Sequence, residues 1–555
     1  MKHTILLFFL TICLVSPAVN GQINERVYLQ TDKQLYLAGE LLWMKMYTTD
    51  IKGQLLSLSK IGYVELIHDS IPEIQVSIDI LDGTGAGWME LPAMLPTGYY
   101  RMIAYTRYMR NEGEKVYFEK IICIVNPFTQ NNDLYTEETN TSILFNPIEK
   151  VVNQVDLSVD KQVYTQRDKG EIRLKGLPAD HIALGISIAG LDPSLEATST
   201  IVDWKKQLSG ESVPLLNRQF LPEYEGAIID GVLIDLETGN PADASNVLSL
   251  LTFPGKEIQL FAGQGDTNGN VSFYTHCVAG KHELTTTAYN LSSKKYRVDI
   301  RSPYAMHTSV HLPSFNPDST WLGYIQNRNI AIQVTHAYMA DSLSSIKEIA
   351  SCSNFRPHDR FKLDEYTRFP NMEEVFIEFI DYARIRRTNE GRRLSIMTEG
   401  LVNFTNNVLL LLDNIPITDH ELICGYNPLL INTIDLHIGR YLFGGYLFDG
   451  IISFFTYQND YPGVTFDAST QLFDYEGTQP YRYFYTPFYN DENRDLRVPD
   501  FRHTLLWEPS IYSDGQSELV IPFTTSDLQG SYLITIEGIG ANGTTVYARQ
   551  IIEVE

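Results

Sequence analysis

The chain is short of cysteine, of positive charge and of long apolar runs. Five cysteines occur in 555 residues, none in a Cys-x-x-Cys pair. Zinc needs clustered ligands, so no structural zinc site is expected. Lys and Arg number 43 against 68 Asp and Glu, a net charge of −25, and no basic run appears. That argues against recognition of a phosphate backbone, and so against nucleic acid. Beyond the first residues no stretch reaches the ~18 apolar residues of a spanning helix, so no transmembrane segment is expected in the mature chain. The motifs HExxH, GxSxG and the P-loop are absent. Gly538-Ile-Gly540-Ala-Asn-Gly543 does match GxGxxG, but it runs into Thr-Thr-Val-Tyr. Those residues make a strand, not the helix a pyrophosphate needs, so the glycines are read as a β-turn. No catalytic, cofactor-binding or metal residue is assigned, and neither an enzyme nor a cofactor is expected.

Tyrosine is plentiful, 33 in a chain that is 12% aromatic, which suits β-rich domains. At about 150 residues per domain the length allows three to four. Met1-Lys2-His3, the apolar Thr4 to Val15 and the small Val19-Asn20-Gly21 form the n-h-c pattern of a secretory signal over residues 1–21. The lipoprotein alternative at Leu10-Thr11-Ile12-Cys13 would place bulky Ile12 before the cysteine and cut inside the apolar core. The mature chain is therefore expected outside the cytoplasm, in the periplasm or at the outer membrane or cell surface. Cys123, Cys277, Cys352 and Cys424 remain and read as small buried side chains; one disulfide stays open, with its pairing unassigned. Single histidines such as His68 and His437 read as packed or exposed.

Val27-Tyr-Leu29-Gln-Thr-Asp32-Lys33-Gln34-Leu-Tyr36 recurs 128 residues on as Val155-Asp-Leu157-Ser-Val-Asp160-Lys161-Gln162-Val-Tyr164, with Glu40 and Asp168 closing each copy. Val27, Leu29 and Thr31 alternate, as do Val155, Leu157 and Val159, the period of a strand with one buried face. The offset is too long for a solenoid, so a domain is repeated. After Gly39-Glu40 the first copy continues through Trp43 to Tyr47, the turn cluster Asp82 to Gly87, and Gly98-Tyr-Tyr100 to Ala104-Tyr105-Thr106; polar Thr129 to Thr141 reads as a linker. These residues resemble the macroglobulin-type β-sandwich domains of secreted Bacteroidetes proteins. The resemblance implies a sandwich at 22–128 and a second, less complete one at 150–220. The Cys-x-Glu-Gln thioester of true macroglobulins is absent.

Gly231-Val-Leu-Ile-Asp235, the turn Thr238 to Pro241 and Asp266-x-Asn268-x-Asn270 before Val271-Ser-Phe273 resemble the carboxypeptidase regulatory-like domain, a small sandwich, over 221–290. The Asp-Asn-Asn stretch lacks the glycine and distal glutamate of a calcium loop and is read as a hairpin turn. Alternating Ile330 to Val334 points to a further β domain in 291–360. Asn371 is expected to cap a helix, with Glu374 as its capping-box partner. Strands follow at Arg393 to Met397 and Val408 to Leu412, then Asp413-Asn414-Ile415-Pro416-Ile417, Asn427-Pro428 with Ile431 and Ile434, and Tyr446 to Thr456. This order resembles the plug domain of TonB-dependent outer-membrane receptors and implies a small α/β unit over 361–460. Asn414 stands where that pattern has glycine, and Gly444-Gly445-Tyr446 blurs its last motif. Too few residues follow for the barrel of such a receptor, so transport by this chain alone is not expected. A last β domain is expected at 461–555. Within it Tyr481, Tyr483 and Tyr485 alternate along one strand face, either as packing or as a contact surface for a glycan or peptide.

The fold class expected is mainly β: tandem sandwiches of macroglobulin and transthyretin type plus one small α/β unit. The function expected is non-enzymatic binding or scaffolding in the cell envelope with another envelope protein as partner. The alternatives are an accessory role beside an outer-membrane barrel receptor in TonB-dependent uptake, and thioester-free protease binding.

Overall fold

A computed structural model describes residues 24–128, 154–178, 180–192, 200–208, 219–255, 257–276, 278–289, 294–312, 321–343, 346–347, 355–389, 391–398, 400, 403–490, 497–514 and 518–555. The expected signal peptide, the linker from Thr129 to Thr141, Cys277 and Cys352 lie outside the described residues. The chain is mainly β, built from three sandwiches and one small α/β unit.

In the first sandwich β1 (Arg26–Thr31), β3 (Leu41–Thr49) and β6 (Thr84–Glu90) form one sheet, ordered β1-β3-β6. The other holds β2 (Leu35–Leu37), β4 (Ile61–His68), β5 (Ile71–Asp79), β7 (Gly98–Thr106) and β8 (Phe118–Val125), ordered β2-β8-β7-β4-β5. The chain then lays down β9 (Asp156–Val159), β10 (Val163–Tyr164), β11 (Lys169–Lys175) and β12 (His181–Gly190) and leaves, passing through helix α1 (Ile201–Gln207). A third sandwich follows, from β13 (Ile228–Asp235), β14 (Leu248–Thr252), β15 (Leu260–Ala262), β16 (Gln264–Gly265), β17 (Asn270–Tyr274), β18 (Lys281–Tyr289) and β19 (Tyr296–Ile300). Helix α2 (Trp321–Leu343) leads to the α/β unit. That unit contains β20 (Asp359–Lys362), helix α3 (Met372–Glu378), β21 (Ala383–Thr388), β22 (Gly391–Met397), β23 (Phe404–Thr405), β24 (Leu409–Leu412), β25 (Ile415–Ile417), helix α4 (His420–Cys424), β26 (Ile431–Phe443) and β27 (Tyr446–Thr456). Next β28 (Thr470–Glu476) returns to pair with β18 of the third sandwich. Finally β29 (Thr504–Asp514), β30 (Glu518–Thr524), β31 (Gly530–Gly540) and β32 (Thr545–Val554) complete the second sandwich, in sheets ordered β10-β32-β31-β12-β29 and β30-β11-β9.

The second sandwich thus repeats the first strand for strand, with residues 191–503 inserted where the first has its β4–β5 hairpin. The segments 150–220 and 461–555, expected as separate units, each supply strands to one sandwich, β9–β12 from the first and β29–β32 from the second, while β28 of the second segment belongs to the third sandwich. Strand periodicity gives a buried face but not a partner, and the partner of β12 arrives only at residue 504. The repeated motif is the lock of the turn. Asp32 Oδ1 accepts from Trp43 N at 3.1 Å and from Tyr36 OH at 2.7 Å; Asp160 Oδ1 accepts from Glu171 N at 2.8 Å and from Tyr164 OH at 2.8 Å. Later in each copy a tyrosine hydroxyl donates to the carbonyl four residues back, Tyr100 to Pro96 at 2.7 Å and Tyr532 to Leu528 at 3.0 Å.

The alternation in β1 gives one face to the sandwich core through Val27 and Leu29. Its other face is buried too, against the second sandwich. Tyr28 OH donates to the Glu537 carboxylate at 2.9 Å, and Gln30 Nε2 donates to Gly185 O at 3.0 Å. From β3, Lys45 Nζ reaches Leu184 O at 2.9 Å. The register of β12 on β29 shifts at Gly185, a bulge that presents these carbonyls outward. A Cβ at Gly185 would collide with Gln30. The first and third sandwiches meet at Glu223, whose buried carboxylate accepts from Tyr63 OH at 2.9 Å and Ile228 N at 2.9 Å.

The segment 291–360, expected as another sandwich, holds instead β19, an unpaired stretch at 301–312 bonded to the first sandwich (Arg101 Nη1 donates to Thr308 O at 3.1 Å), and α2. Ile330, Ile332 and Val334 mimic period 2, but the buried positions Trp321, Ile325 and Arg328 follow helical spacing and Ile330 is exposed. Asn371 caps α3 as expected, accepting from Glu374 N at 2.9 Å and donating to Glu374 Oε1 at 2.7 Å. Asp266 closes the β16–β17 hairpin by accepting from Asn268 N and Asn270 N at 2.8 and 2.9 Å. Asn414 takes positive φ, as the glycine of the pattern would. Its amide also donates to Gly255 O at 2.9 Å, fastening the α/β unit to the third sandwich. Gly444 and Gly445, both at positive φ, turn the long β26–β27 hairpin, and Tyr446 OH at its tip reaches Asn246 O at 2.8 Å.

Candidate functional site

The insertion leaves and re-enters the second sandwich at one place: Gly190 N donates to His503 O at 2.9 Å. Helix α2 lies beside this seam. Trp321 and Ile325 pack on Leu35, Leu37, Tyr99, Cys123 and Val125 of the first sandwich. One turn on, Arg328 enters the same seam and is 3% exposed. A buried guanidinium needs its donors filled. Its Nε and Nη2 donate to Glu40 at 2.8 and 2.9 Å, Nη2 also to Leu35 O at 2.8 Å, and Nη1 to Asp192 at 2.7 Å and Tyr324 OH at 2.8 Å. Lys33 lies 3.1 Å from Asp32 and 3.4 Å from Glu40, and Thr504 Oγ1 donates to Asp32 at 2.9 Å. Tyr324 OH donates to Asp192 and lies 3.2 Å from His503 Nε2. The first-copy turn, the exit residue, the helix and the re-entry residues are thus tied into one ionic cluster.

Burial works against every charge here. It would raise the Glu40 carboxyl, yet Arg328 and Lys33 hold it at about 2. Burial pushes Asp192 above the usual aspartate range despite Arg328. Burial, helped by Arg328, drives His503 well below the usual histidine value, so its ring is neutral.

Above this floor opens a cleft with an aromatic rim: Trp43, Tyr483, Phe484, Tyr485 and Phe501, with Thr335 and His336 from α2. Trp43 and Phe484 meet edge to face, ring centres 5.5 Å apart. Residues 483–490 belong to no strand, so the alternating tyrosines share no sheet face. Their path is set at the edge of β6. The Gln479 amide accepts from Trp88 N at 3.1 Å and donates to Trp88 O at 2.8 Å, completing the edge as a strand residue would. Arg482 lies 3.1 Å from Glu90 and over the Trp88 ring at 4.5 Å. Of the three tyrosines picked out in the sequence, Tyr483 and Tyr485 line the cleft. Tyr481 stands outside it, half-buried, edge-on to Tyr483 at 5.1 Å. Trp43, Arg328 and His503 were not found from sequence; the only signal was the Lys33–Glu40 spacing shared with Lys161–Asp168.

The floor offers little to react. Its cations and carboxylates are spent on one another, so the cleft meets a ligand chiefly with aromatic side chains. Cys123 is buried under α2 with its thiol pushed far up by burial, and burial lifts Cys424 to about 11, so neither is a thiolate at neutral pH. Among the described residues no three His, Cys, Asp or Glu side chains are grouped as metal ligands, and no helix is long and apolar enough to cross a membrane.

No protein-family model matches the chain, and no curated protein does. Among solved structures, Escherichia coli alpha-2-macroglobulin activated by porcine elastase is 10% identical over 96% of this chain and 44% of its own, at a TM-score of 0.25. Salmonella alpha-2-macroglobulin reacted with methylamine is 11% identical over 96% of this chain and 39% of its own, also at 0.25. The Escherichia coli adhesin FdeC is 10% identical over 50% of this chain and 64% of its own, at 0.15. The chain therefore spans about two fifths of the length of the macroglobulins it matches. At these scores no residue of those proteins is carried onto this chain.

Proposed function

We propose that the chain is an exported, non-catalytic binding and scaffolding protein of the cell envelope, and that the aromatic cleft receives a partner. The observation that carries this reading is the pairing of a saturated ionic floor with an aromatic rim. Such a floor holds the walls in place, and ring faces supply contact area at low entropic cost. The n-h-c pattern at residues 1–21 supports export. The motif order of the α/β unit supports a second reading, docking beside an outer-membrane barrel receptor, with the third sandwich as a regulatory-like accessory domain. Protease binding without a thioester is a third reading, supported by the repeated macroglobulin-type motif alone.

The test is photocrosslinking from position 483 in intact envelopes, with Trp43→Ala and Tyr485→Ala as controls. One dominant crosslinked protein, lost in both variants, supports the proposal. A barrel receptor as that protein favours the second reading, and a protease the third. No crosslink above background, or one indifferent to both variants, rejects the cleft as the contact.

A further inference from the structure

The α/β unit concentrates arginine in a chain that is acidic overall: Arg384, Arg386, Arg387, Arg392 and Arg393 fall within ten residues of a protein at −25, an interrupted cluster rather than a basic run. They sit on the β21–β22 hairpin of a sheet ordered β21-β22-β23, so β21 is an edge. The phase of that edge follows from one hydrogen bond. Met397 N donates to Tyr382 O at 2.8 Å in the register that pairs Ala383 with Ile396. Antiparallel pairs alternate. Arg384 and Arg386 therefore bond inward to β22, while Ala383, Ile385 and Arg387 turn their amides and carbonyls outward. The outward-turned residues line a groove of about 240 Å³ between β21 and α3, with Phe376, Ile377 and Ile380 as its apolar wall and with Glu373, Asp381, Arg384 and Phe404 also on its lining; the two carboxylates make the α3 side suit apolar side chains and leave Arg384 and Arg386 for carboxylates. Ile377 is 77% exposed there.

The two faces of the edge differ. Ala383 and Ile385 face the core beneath α3, with Phe376 and Ile380. Arg384 and Arg386 flank the Phe404 ring on the other face, at 3.5 and 5.9 Å. The buried Arg384 Nε has no hydrogen-bond acceptor, and no ion pair to Arg384 or Arg386 occurs among the described residues. Arg387, its side chain 82% exposed, lies 3.7 Å from Glu373.

We propose that β21 is a docking edge for an extended acidic segment of another protein, which adds to the sheet as a further strand. Successive side chains of an added strand point to opposite faces. The segment that fits alternates apolar residues, set against Ile377 and Ile380, with carboxylates set against Arg384 and Arg386. The competing account is that the arginines guard a bare edge against pairing.

Fluorescence anisotropy on the full mature chain at low salt separates the two, with a labelled peptide Glu-Val-Glu-Val-Glu-Val-Glu as the probe. Expected is saturable binding, at least about tenfold weaker for Arg386→Glu, for a peptide with lysine in place of glutamate, and for one N-methylated at alternate residues. Arg386 is exposed, so its variant keeps the fold, which circular dichroism verifies. No saturable binding by the wild type, or binding indifferent to N-methylation, overturns the added strand and leaves a guarded or merely cationic edge. Self-association lost on Arg386→Glu overturns the heterologous partner in favour of a second copy.

Discussion

The two copies of the repeated sandwich share a turn, a strand order and a tyrosine lock, yet their outer faces differ completely. In the first copy Leu35, Leu37, Tyr99, Cys123 and Val125 form an apolar face roofed by α2, and Glu40 meets Arg328. In the second, register places Val163, Thr165, Ser531, Glu553 and Glu555 at the equivalent positions. That face is open: Val163 is 49% exposed, Ser531 bonds Glu553 at 2.8 Å, and Lys161 pairs with Asp168 at 2.8 Å in water. The motif common to both is therefore structural. What docks on a copy is decided by residues around the motif.

Removing the roof should produce the largest effect. Arg328→Ala strands Glu40 and Asp192 as buried charges and is expected to cost about 3–5 kcal/mol, read as an earlier first transition in calorimetry. An unchanged transition would mean the two faces are equivalent after all. Next come the polar seams of the first sandwich. Lys45, driven by burial to about 7, is charged in the unfolded chain up to its ordinary 10.5. Its contribution should make stability climb between pH 7 and 10.5. Glu223, raised by burial from 4.5 to about 7, holds its proton longer in the folded state, so its contribution falls as pH rises from 4.5 to 7. Together they place a minimum near pH 7. Lys45→Met should flatten the alkaline limb and Glu223→Gln the acid limb in urea titrations across pH. Smaller still, Tyr36→Phe and Tyr164→Phe each remove the same turn bond and should cost about 1 kcal/mol apiece, with matched shifts in the two copies. Lys161→Ala should change stability by no more than about 0.5 kcal/mol, in contrast with its buried counterpart Lys33.

The first half of the repeat was legible because Asp32 and Asp160 must each do the same work with the same neighbours. The second half was not. Gly530-Ser-Tyr532 keeps only the glycine and the locking tyrosine of Gly98-Tyr-Tyr100, and residues 191–503 stand between. Helix α2 mimics a strand because Ile330, Ile332 and Val334 alternate along its exposed and half-buried flank, while Arg328 looks polar and is buried. The cleft was half legible. A tyrosine cluster advertises contact surface, but Arg328 and Trp43, which complete it, come from segments over 150 residues away, and only the fold brings them together.

The split second sandwich has a consequence in time. Strand β12 emerges 313 residues before its neighbour β29. At about 5–20 residues per second that is an interval of some 16–60 s, during which four finished strands have no sheet to close. Until β29–β32 arrive, the faces of β12 are hydrophobic and its hydrogen bonds unmade, the state in which strands pair with strangers. The chain must either keep β9–β12 bound to something else for that interval or fold the second sandwich last, sealing the nested units inside it.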